Sequence, residues 1–446
     1  MSYLEIVEVV TGILFTILGA IMAHFVIFAV AGLFKKEPCP KTERINRLGL
    51  IIPARNEESV VSGLIESIQK NNYPQDQLQI FVIAHNCTDR TAEIARSAGA
   101  TVYEYNNPEE NTMGYAFKYL FSCIERDYGT QSFDGFILFN ADNILDKDYI
   151  SRMNDAFEYY ERNSVITSFR NSKNFGTNLI SGLYGMYFAL GSRLDSHGRT
   201  MLGCSTRVQG TGYLINSEIV KDGWPYVSLT EDWEFTVDQI LRGHTIRYCN
   251  DAVFYDEQPT SIRIMWRQRV RWSRGHLLVF YARFAELVKN LFKKDTKHRV
   301  SLYDITVYIM PTPLLFMVLQ VLQAILMLLA PVFDPSVTIA QVLWGEGSVL
   351  TSHGMVFSWL RSAVSSYFIM MALAVVVFII ERKRIHGLTF WKKVLITLVW
   401  PIYLALQLPM DIQAFFSRNL GWKPIPHSDQ TSFDHVNKGE EPSEKK

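Results

Sequence analysis

The sequence predicts an α/β domain inserted between transmembrane helices, and three observations predict it. Apolar residues are concentrated at the two ends of the 446-residue chain, although the overall hydrophobic share of 48% is ordinary. The middle alternates short apolar runs with segments of helical spacing, which indicates a mostly parallel sheet with helices. Clusters of basic residues flank the apolar ends, as expected at a cytoplasmic membrane face.

The first apolar stretch covers residues 9–34 and is long enough to cross a bilayer. No small-residue cleavage site follows it, so we expect a signal anchor rather than a removed signal peptide. His24 is expected to be tolerated near the end of this span rather than to bind a ligand. The flank is expected in the cytoplasm, and the N-terminus outside, because five basic residues follow: Lys35, Lys36, Lys41, Arg44 and Arg47.

The middle of the chain contains the predicted α/β domain. Four short apolar runs predict strands, at residues 48–53, 79–84, 101–105 and 136–140. Helical spacing predicts helices over residues 59–70 and 92–98. In such sheets ligands bind at the carboxyl ends of the strands, so residues at these ends are the first site candidates.

The C-terminal part is predicted to return to the membrane. Residues 263–293 are rich in Arg, Trp, Phe and Lys, which indicates helices lying along the membrane surface. Three apolar segments follow, at residues 305–333, 355–380 and 394–416. Four simple crossings in the whole chain would leave the polar tail outside. If the tail is cytoplasmic, the count is wrong or one segment is re-entrant, and 394–416 is the first candidate because it contains Pro401 and Pro409.

Charge and cysteine content exclude two other classes of protein. Lys+Arg and Asp+Glu are both 44, so the formal net charge is zero, which argues against a general nucleic-acid binder. The five cysteines are scattered and match neither a zinc site nor a disulfide framework. We therefore expect reduced thiols.

Asp142 is the candidate metal ligand. It ends a buried apolar run, where a loop can present its carboxylate, and a divalent ion that bridges two phosphates needs such an oxygen ligand. The alternative is an aspartate that only caps the next turn.

Asp232 is the candidate general base, because a carboxylate can take a proton from a hydroxyl when its pocket sets its pKa. Glu231, beside it, is expected to orient neighbours or to pair with a basic group. The alternative is that both belong to a solvated helix N-terminus, where acidic residues are favoured.

Gln268, Arg271 and Trp272 share one face if the segment is helical, because they lie at i, i+3 and i+4. The guanidinium can hold a diphosphate, and the indole can stack on a sugar. The alternative is an interfacial helix that uses Trp and Arg as headgroup anchors.

Four motifs in this order make the resemblance specific: Pro53-Ala54-Arg55-Asn56-Glu57, Asn140-Ala141-Asp142, Thr230-Glu231-Asp232 and Gln268-x-x-Arg271-Trp272. Over about residues 48–276 the chain resembles a membrane-embedded family 2 glycosyltransferase, the group containing cellulose, hyaluronan and poly-N-acetylglucosamine synthases. The resemblance implies a Rossmann-like GT-A fold, a nucleotide-diphosphate sugar donor, usually UDP, a Mg²⁺ or Mn²⁺ ion, and inversion at the anomeric carbon.

The resemblance also implies roles for individual residues. Asp142 matches the metal ligand and Asp232 the general base. The residues implied to contact the donor or the acceptor are Ala54 and Glu57 in the first nucleotide-contact region, Gly212 in the loop 210–213 near the acceptor, and Gln268, Arg271 and Trp272.

Three residues depart from the family pattern. His85 and Asn140 stand where relatives usually carry aspartates, and Met113 stands where many carry a lysine facing the phosphates. A neutral His85 can still pair with a base edge, and Asn140 can still accept a hydrogen bond from ribose. No F-x-V-T-x-K gating segment follows the Gln268 motif. The element Gly421-Trp422-Lys423-Pro424-Ile425-Pro426-His427 resembles a cytoplasmic tail of similar synthases.

Together these observations predict an integral plasma-membrane enzyme with a cytoplasmic catalytic domain. It would transfer a hexose from a UDP-sugar to a growing extracellular or capsular polysaccharide, with membrane lipid around it and no nucleic acid as partner. The alternatives are a non-processive transferase that makes a glycolipid and a catalytically weak partner of a synthase. The predicted divisions are a transmembrane anchor (1–36), the GT-A domain (37–262), interfacial helices (263–300), a C-terminal transmembrane region (301–416) and a polar tail (417–446).

Overall fold

A computed structural model of the chain describes residues 1–35, 37–162, 164–345, 353–385, 387–417 and 431–437. The tail motif at residues 421–427 lies outside the described residues.

An eight-stranded mixed sheet forms the centre of the α/β domain, in the order β3-β2-β1-β4-β7-β6-β8-β5. The strands are β1 (Leu48–Ala54), β2 (Leu78–His85), β3 (Thr101–Tyr105), β4 (Gly135–Leu138), β5 (Ile144–Leu145), β6 (Ser164–Ser172), β7 (Tyr213–Asn216) and β8 (Thr245–Asp256). β1 is buried on both faces, since Leu50 and Ile52 belong to the core on one side and Ile51 to the core on the other. The sequence of a strand buried on both faces is a continuous apolar run rather than an alternating pattern.

The four predicted strands are present as β1 to β4, and they pair in parallel. The other four were not predicted. β6 and β8 carry many polar residues, β7 has only four residues and β5 only two, so none shows a clear apolar period. β7 lies antiparallel to β4 and β6, and β5 antiparallel to β8, so the sheet is more mixed than expected.

The helices of the first half form two groups. Two helices precede the sheet, α1 (Tyr3–Met22) and α2 (His24–Gly32). The next seven are α3 (Val61–Gln69), α4 (Thr91–Ser97), α5 (Met113–Asp127), α6 (Tyr149–Tyr159), α7 (Leu179–Leu190), α8 (Gly198–Met201) and α9 (Glu231–Leu241). A π-helical segment, Gly191–His197, joins α7 and α8.

The helices of the second half begin with one long helix, α10 (Ile262–Leu291), where several surface helices were expected. The others are α11 (Arg299–Tyr308), α12 (Thr312–Leu328), α13 (Ala330–Phe333), α14 (Ile339–Trp344), α15 (Met355–Ile380), α16 (Phe390–Ala405), α17 (Gln407–Phe416) and α18 (Phe433–Asn437).

Four helical stretches among the described residues are long and apolar enough to cross a membrane: Tyr3–Gly32, Thr312–Phe333, Met355–Ile380 and Phe390–Phe416. The first two run antiparallel. The Tyr3 ring stacks on Phe333 with centroids 4.7 Å apart, and the Tyr303 hydroxyl donates to the Ile21 carbonyl at 2.7 Å. The N-terminus therefore lies at the end of the bundle away from the sheet.

His24 is half-buried and links the N-terminal helices to the rest of the protein, whereas the sequence predicted only that it would be tolerated near the end of the span. Its Nε2 lies 3.0 Å from Asp304 Oδ1, and Arg199 Nε donates to the other oxygen of Asp304 at 2.6 Å. Both partners belong to the α/β side of the molecule. A polar residue in an apolar helix is stabilised in this way by charged partners.

The last apolar stretch differs from the other three because it contacts the α/β domain side at both of its ends. Lys392 Nζ donates to the Gly176 carbonyl at 2.6 Å, near the start of α16. The Tyr367 hydroxyl, in α15, donates to Leu398 at 2.8 Å, so α16 first runs beside α15. Trp266 Nε1, in α10, then donates to Gln413 Oε1 at 2.6 Å, near the end of α17. The chain thus turns back between α16 and α17.

The C-terminal helix α18 packs on the α/β domain. Asn437 accepts a hydrogen bond from the Lys147 amide at 2.7 Å and donates one to the Leu145 carbonyl at 3.2 Å. Lys70 Nζ lies 3.5 Å from Asp434 Oδ1. α18 is therefore on the same side of the membrane helices as the sheet.

Candidate active site

One cavity of about 700 Å³ extends from the carboxyl ends of β1 and β2 to the membrane helices. Ten of the eleven predicted site residues line it: Ala54, Glu57, His85, Asn140, Asp142, Glu231, Asp232, Gln268, Arg271 and Trp272. These residues are far apart in the chain, and the fold brings them together.

Gly212 is the exception, and this prediction needs a correction. Its amide donates to the Leu138 carbonyl at 2.8 Å, and its carbonyl accepts from Ser168 at 2.6 Å, so it lies between strands behind the cavity wall. Its φ of +66° and the nearby Phe254 ring explain why this position requires glycine. Gly210 is the glycine of the loop that lines the cavity, next to Asp232.

The strand ends form one end of the cavity, lined by Ala54, Glu57, His85, Asn140 and Asp142. We call it the donor end, because the resemblance implies that residues at this end contact the donor. His85 Nε2 lies 2.7 Å from the Glu110 carbonyl, and the ring is buried. Burial lowers the pKa of His85, so the ring is neutral near pH 7. The Oδ1 atom of Asn140 is buried and has no partner among the described residues. An acceptor oxygen without a partner is costly unless a ligand satisfies it.

Asp142 lies beside a second buried carboxylate, Asp256, at the end of β8. Asn143 bridges them, since its Nδ2 donates to Asp256 Oδ1 at 2.9 Å and to Asp142 Oδ1 at 3.3 Å. Arg170 Nε donates to Asp256 at 2.7 Å. Burial raises the pKa of Asp256 to about 6; Arg170 opposes the rise and Asp142 adds to it.

This pair of carboxylates fits a divalent cation. The part of the chain that the structure describes contains no group of three or more His, Cys, Asp or Glu side chains arranged for a metal ion. Mg²⁺ is usually held by one or two carboxylates together with substrate phosphates and water. Two adjacent buried carboxylates repel each other unless a proton or a cation lies between them.

Glu231 and Asp232 form the first turn of α9 in the middle of the cavity. Burial raises the pKa of Glu231 to about 8, and the charge of Asp232 adds to the rise. Burial also raises the pKa of Asp232, but the Trp233 amide, which donates to Asp232 Oδ1 at 2.9 Å, and Arg271 oppose it. The expected alternative of a solvated helix N-terminus is therefore wrong, since Glu231 is only 7% exposed.

α10 carries its motif directly against this turn. Gly275 packs on Thr230, and a side chain at Gly275 would collide with it. Arg271 donates to the Leu229 carbonyl at 3.1 Å and faces the two carboxylates. Gln268 accepts from the Tyr184 hydroxyl at 2.6 Å.

Trp272 meets Tyr184 and Phe188 edge-on, with ring centroids 6.1 and 6.3 Å apart. The tryptophan is therefore not a fully exposed headgroup anchor, because it is half-buried, packs on these two rings and lines the cavity.

Two cavity residues, Asp256 and Arg170, were not predicted from the sequence, although each lies on a strand. Asp256 ends β8, but the polar residues of β8 hid that strand. Arg170 lies on β6, which was missed for the same reason. Met113, the predicted departure from a lysine, also lines the cavity.

Known proteins were compared with the chain. A family model described as glycosyltransferase like family 2 matches residues 46–275. The "Probable glycosyltransferase YdaM" of Bacillus subtilis is 26% identical over 255 residues, 55% of this chain and 59% of its own. A β-monoglucosyldiacylglycerol synthase of Nostoc is 23% identical over 308 residues, 67% of this chain and 62% of its own. A poly-β-1,6-N-acetyl-D-glucosamine synthase of Staphylococcus aureus is 21% identical over 243 residues, 54% and 57% of the two chains.

The match thus spans about three fifths of the length of these relatives. Among solved structures, the mannosyltransferase PcManGT of Pyrobaculum calidifontis, in complex with GDP-Man and Mn²⁺, superposes with a TM-score of 0.53. It is 15% identical, and the match covers 92% of this chain and 99% of that one. At this identity the likeness shows the fold alone, and it confirms the predicted GT-A class. With the family model matching residues 46–275, the chain belongs to the glycosyltransferase like family 2.

Proposed function

We propose that the protein is an inverting membrane glycosyltransferase that transfers a hexose from a UDP-sugar to a growing extracellular or capsular polysaccharide. One observation carries the proposal. The carboxylates of Glu231 and Asp232, with Arg271, lie at the centre of one cavity that joins the donor end to apolar membrane helices. A charged donor and an acceptor at the lipid boundary could meet there.

The chemical step would be a single displacement at the anomeric carbon. An acceptor hydroxyl oxygen forms a bond to C1, the bond from C1 to the phosphate oxygen breaks, and UDP leaves with that electron pair. The hydroxyl proton passes to the Asp232 carboxylate. Arg271 would hold the diphosphate, and its fixed charge needs no reorganisation as negative charge develops on the leaving group.

The raised pKa values favour a division of labour between the two carboxylates. A Glu231 pKa of about 8 keeps that side chain protonated at neutral pH. A protonated Glu231 removes one negative charge beside Asp232, which helps Asp232 to stay ionised and to act as the base. This role goes beyond the expectation from the sequence, in which Glu231 orients neighbours or pairs with a basic group.

Asp142 and Asp256 would hold a Mg²⁺ or Mn²⁺ ion at the donor end. When bound, the ion supplies charge neutralisation for the diphosphate. Arg170 fixes the orientation of Asp256 through its guanidinium. PcManGT, whose structure contains Mn²⁺, supports the choice of metal.

UDP is proposed as the nucleotide because the motifs resemble those of UDP-sugar enzymes. A neutral His85 offers a ring nitrogen to the base, and the buried Oδ1 of Asn140 can accept a ribose hydroxyl. PcManGT binds GDP-Man. A GDP-sugar is therefore the competing donor.

A glycolipid product is the second candidate. Leu314, Met370 and Leu373, from α12 and α15, line the membrane end of the cavity, and apolar walls suit a lipid-linked acceptor. The name of the Nostoc relative, a β-monoglucosyldiacylglycerol synthase, agrees with this reading. A catalytically weak partner subunit is less favoured, since the carboxylates and Arg271 share one cavity.

We also propose that the chain crosses the plasma membrane three times, with the catalytic domain and α18 in the cytoplasm. α16 and α17 would form a re-entrant hairpin, because both ends contact the domain side. A fourth crossing would place α17 and α18 on opposite faces of the membrane, whereas α17 contacts α10 and α18 contacts the α/β domain. The domain boundaries given above remain proposals.

Replacing Asp232 tests the proposed base. The Asp232→Asn protein, assayed in detergent with UDP-sugars and Mn²⁺, should lose transfer by about 10²-fold or more, because Asn cannot accept the proton. Glu234→Gln, in the same turn but outside the cavity, is the control and should keep the parental rate. Transfer at the parental rate by Asp232→Asn would exclude this base.

The same assay of the parent identifies the product and the donor. A ladder of polymers would identify a polysaccharide, and a single product would identify a glycolipid. Turnover of GDP-sugars alone would refute UDP as the nucleotide.

Replacing the carboxylate pair tests the metal site. Asp142→Ala should abolish the Mn²⁺-dependent part of UDP binding in calorimetry. Asp256→Asn should weaken that part by on the order of 10-fold or more, because one ligand is lost. Asp148→Asn, outside the cavity, should leave binding unchanged. Equal Mn²⁺ dependence in all three proteins would contradict the site.

The pH dependence of transfer tests the charge of Arg271. Asp232 must be ionised, and its pKa is raised, so activity should be lost as the pH falls through that raised pKa. Arg271 holds the pKa down, so Arg271→Gln should move the acid limb of the kcat profile to higher pH. The exposed Arg267→Gln should not move it. An unchanged acid limb in Arg271→Gln would show that Asp232 is not the group titrated.

Cysteine labelling tests the three-crossing topology. Ser432→Cys should react with an impermeant maleimide only from the cytoplasmic face, and Ser336→Cys only from the opposite face, above the parent's own labelling. Both positions are exposed. Reaction of both cysteines from one face would disprove the arrangement.

A further inference from the structure

The membrane end of the cavity contains polar residues that the sequence motifs did not indicate. Gln407 and Asp411, both on α17, line the cavity together with Trp272 and Ser273 of α10. Asp411 is the one acidic residue of the apolar segment 390–416. Ionisable residues within such segments are rare and usually mark a functional site.

The cavity continues around α10, from the face that carries Arg271 to the face that contacts these residues. Successive residues of an α-helix point about 100° apart. Arg271 faces the two carboxylates of α9, Trp272 comes next, and Ser273 faces α17. The tryptophan therefore stands between the reaction centre and Asp411.

Gln407 joins the buried cation of Arg269 to the half-buried carboxylate of Asp411. Its carbonyl accepts from Arg269 Nη2 at 2.6 Å, and its amide donates to Ser273 Oγ at 2.8 Å and to Asp411 Oδ1 at 2.6 Å. Ser273 also hydrogen-bonds Asp411. A carboxylate has about four lone-pair positions, so these two donors leave room for further hydroxyl donors.

The docking of α17 onto α10 does not by itself require this carboxylate. Gln407 binds Arg269, and Gln413 binds Trp266, on either side of Asp411 along α17. An apolar residue at position 411 would suit an apolar hairpin better if the position only filled space.

We propose that Gln407 and Asp411, with Trp272, form a subsite for the terminal sugar of the acceptor, and that Asp411 sets acceptor selectivity. This inference rests on the proposed function. Sugar hydroxyls would donate to the Asp411 carboxylate, and the apolar face of the ring would pack on the indole. The anionic charge disfavours a phosphate at this position, so the subsite fits a neutral, hydroxyl-rich ring rather than the donor diphosphate or a phospholipid headgroup.

The test separates acceptor binding from donor binding in Asp411→Asn, which keeps the shape of the side chain. In membranes with their endogenous acceptor, the ratio of transferred sugar to released UDP should fall at least 10-fold, because water replaces the badly bound acceptor. UDP affinity in calorimetry should change less than twofold. Gln413→Ala, which weakens docking of α17 outside the cavity, should keep the parental ratio. A parental ratio in Asp411→Asn, a loss of UDP binding in it, or the same fall in Gln413→Ala would overturn the subsite.

A binding measurement distinguishes failure of the subsite from failure of the proposed function. If the parent turns over no UDP-sugar, the proposed function fails, and the subsite is tested by tryptophan fluorescence in nanodiscs. The probes are octyl β-glucoside, octyl β-galactoside and octyl β-N-acetylglucosaminide, with 1-octanol as the sugarless control. We expect saturable binding of at least one glycoside, weakened at least 10-fold in Asp411→Asn. Equal binding by parent and variant, or no glycoside binding stronger than that of octanol, would overturn the subsite.

Discussion

The close packing of α10 on the first turn of α9 is the contact on which the site depends. Gly275 has no side chain, so α10 can lie against Thr230. That approach places the Arg271 guanidinium where its charge acts on both Glu231 and Asp232, while the charge of Arg170 also acts on Asp232. Burial raises both carboxyl pKa values, and Arg271 limits the rise. A larger residue at position 275 would separate the cation from the carboxylates and change their protonation together.

The membrane helices are part of this arrangement and not only an anchor. One side of α10 faces the cavity with Gln268, Arg271 and Trp272, while Trp266 and Arg269 bind the α16–α17 hairpin. His24 joins the N-terminal helices to Asp304, close to Met22 and Phe25, which line the same cavity. The soluble domain and the apolar helices therefore share the walls of one cavity, which suits a reaction between a charged donor and an acceptor at the lipid boundary.

Ten of the eleven predicted site residues line one cavity, because strand ends and helix faces can be recognised from the local sequence, and the roles assigned to them stay predictions. Sequence reasoning misplaced Gly212, which supports the loop while Gly210 lines the cavity. It missed Asp256 and Arg170, since β8 and β6 are polar strands stabilised by their neighbours rather than by an apolar period. Asp411 was read only as part of an apolar segment, because nothing in the local pattern shows which side chains of that segment reach the site.

The sequence by itself determined the α/β domain between apolar helices, the family motifs and the residue types at the strand ends. These are local properties, set by hydrophobic periodicity and by short motifs. Only the tertiary structure decided that Asp142 is paired with Asp256, that Arg271 faces Glu231 and Asp232, and that the last apolar segment turns back. Those facts depend on contacts between residues far apart in the chain, and burial at such contacts sets both the charges and the shape of the cavity.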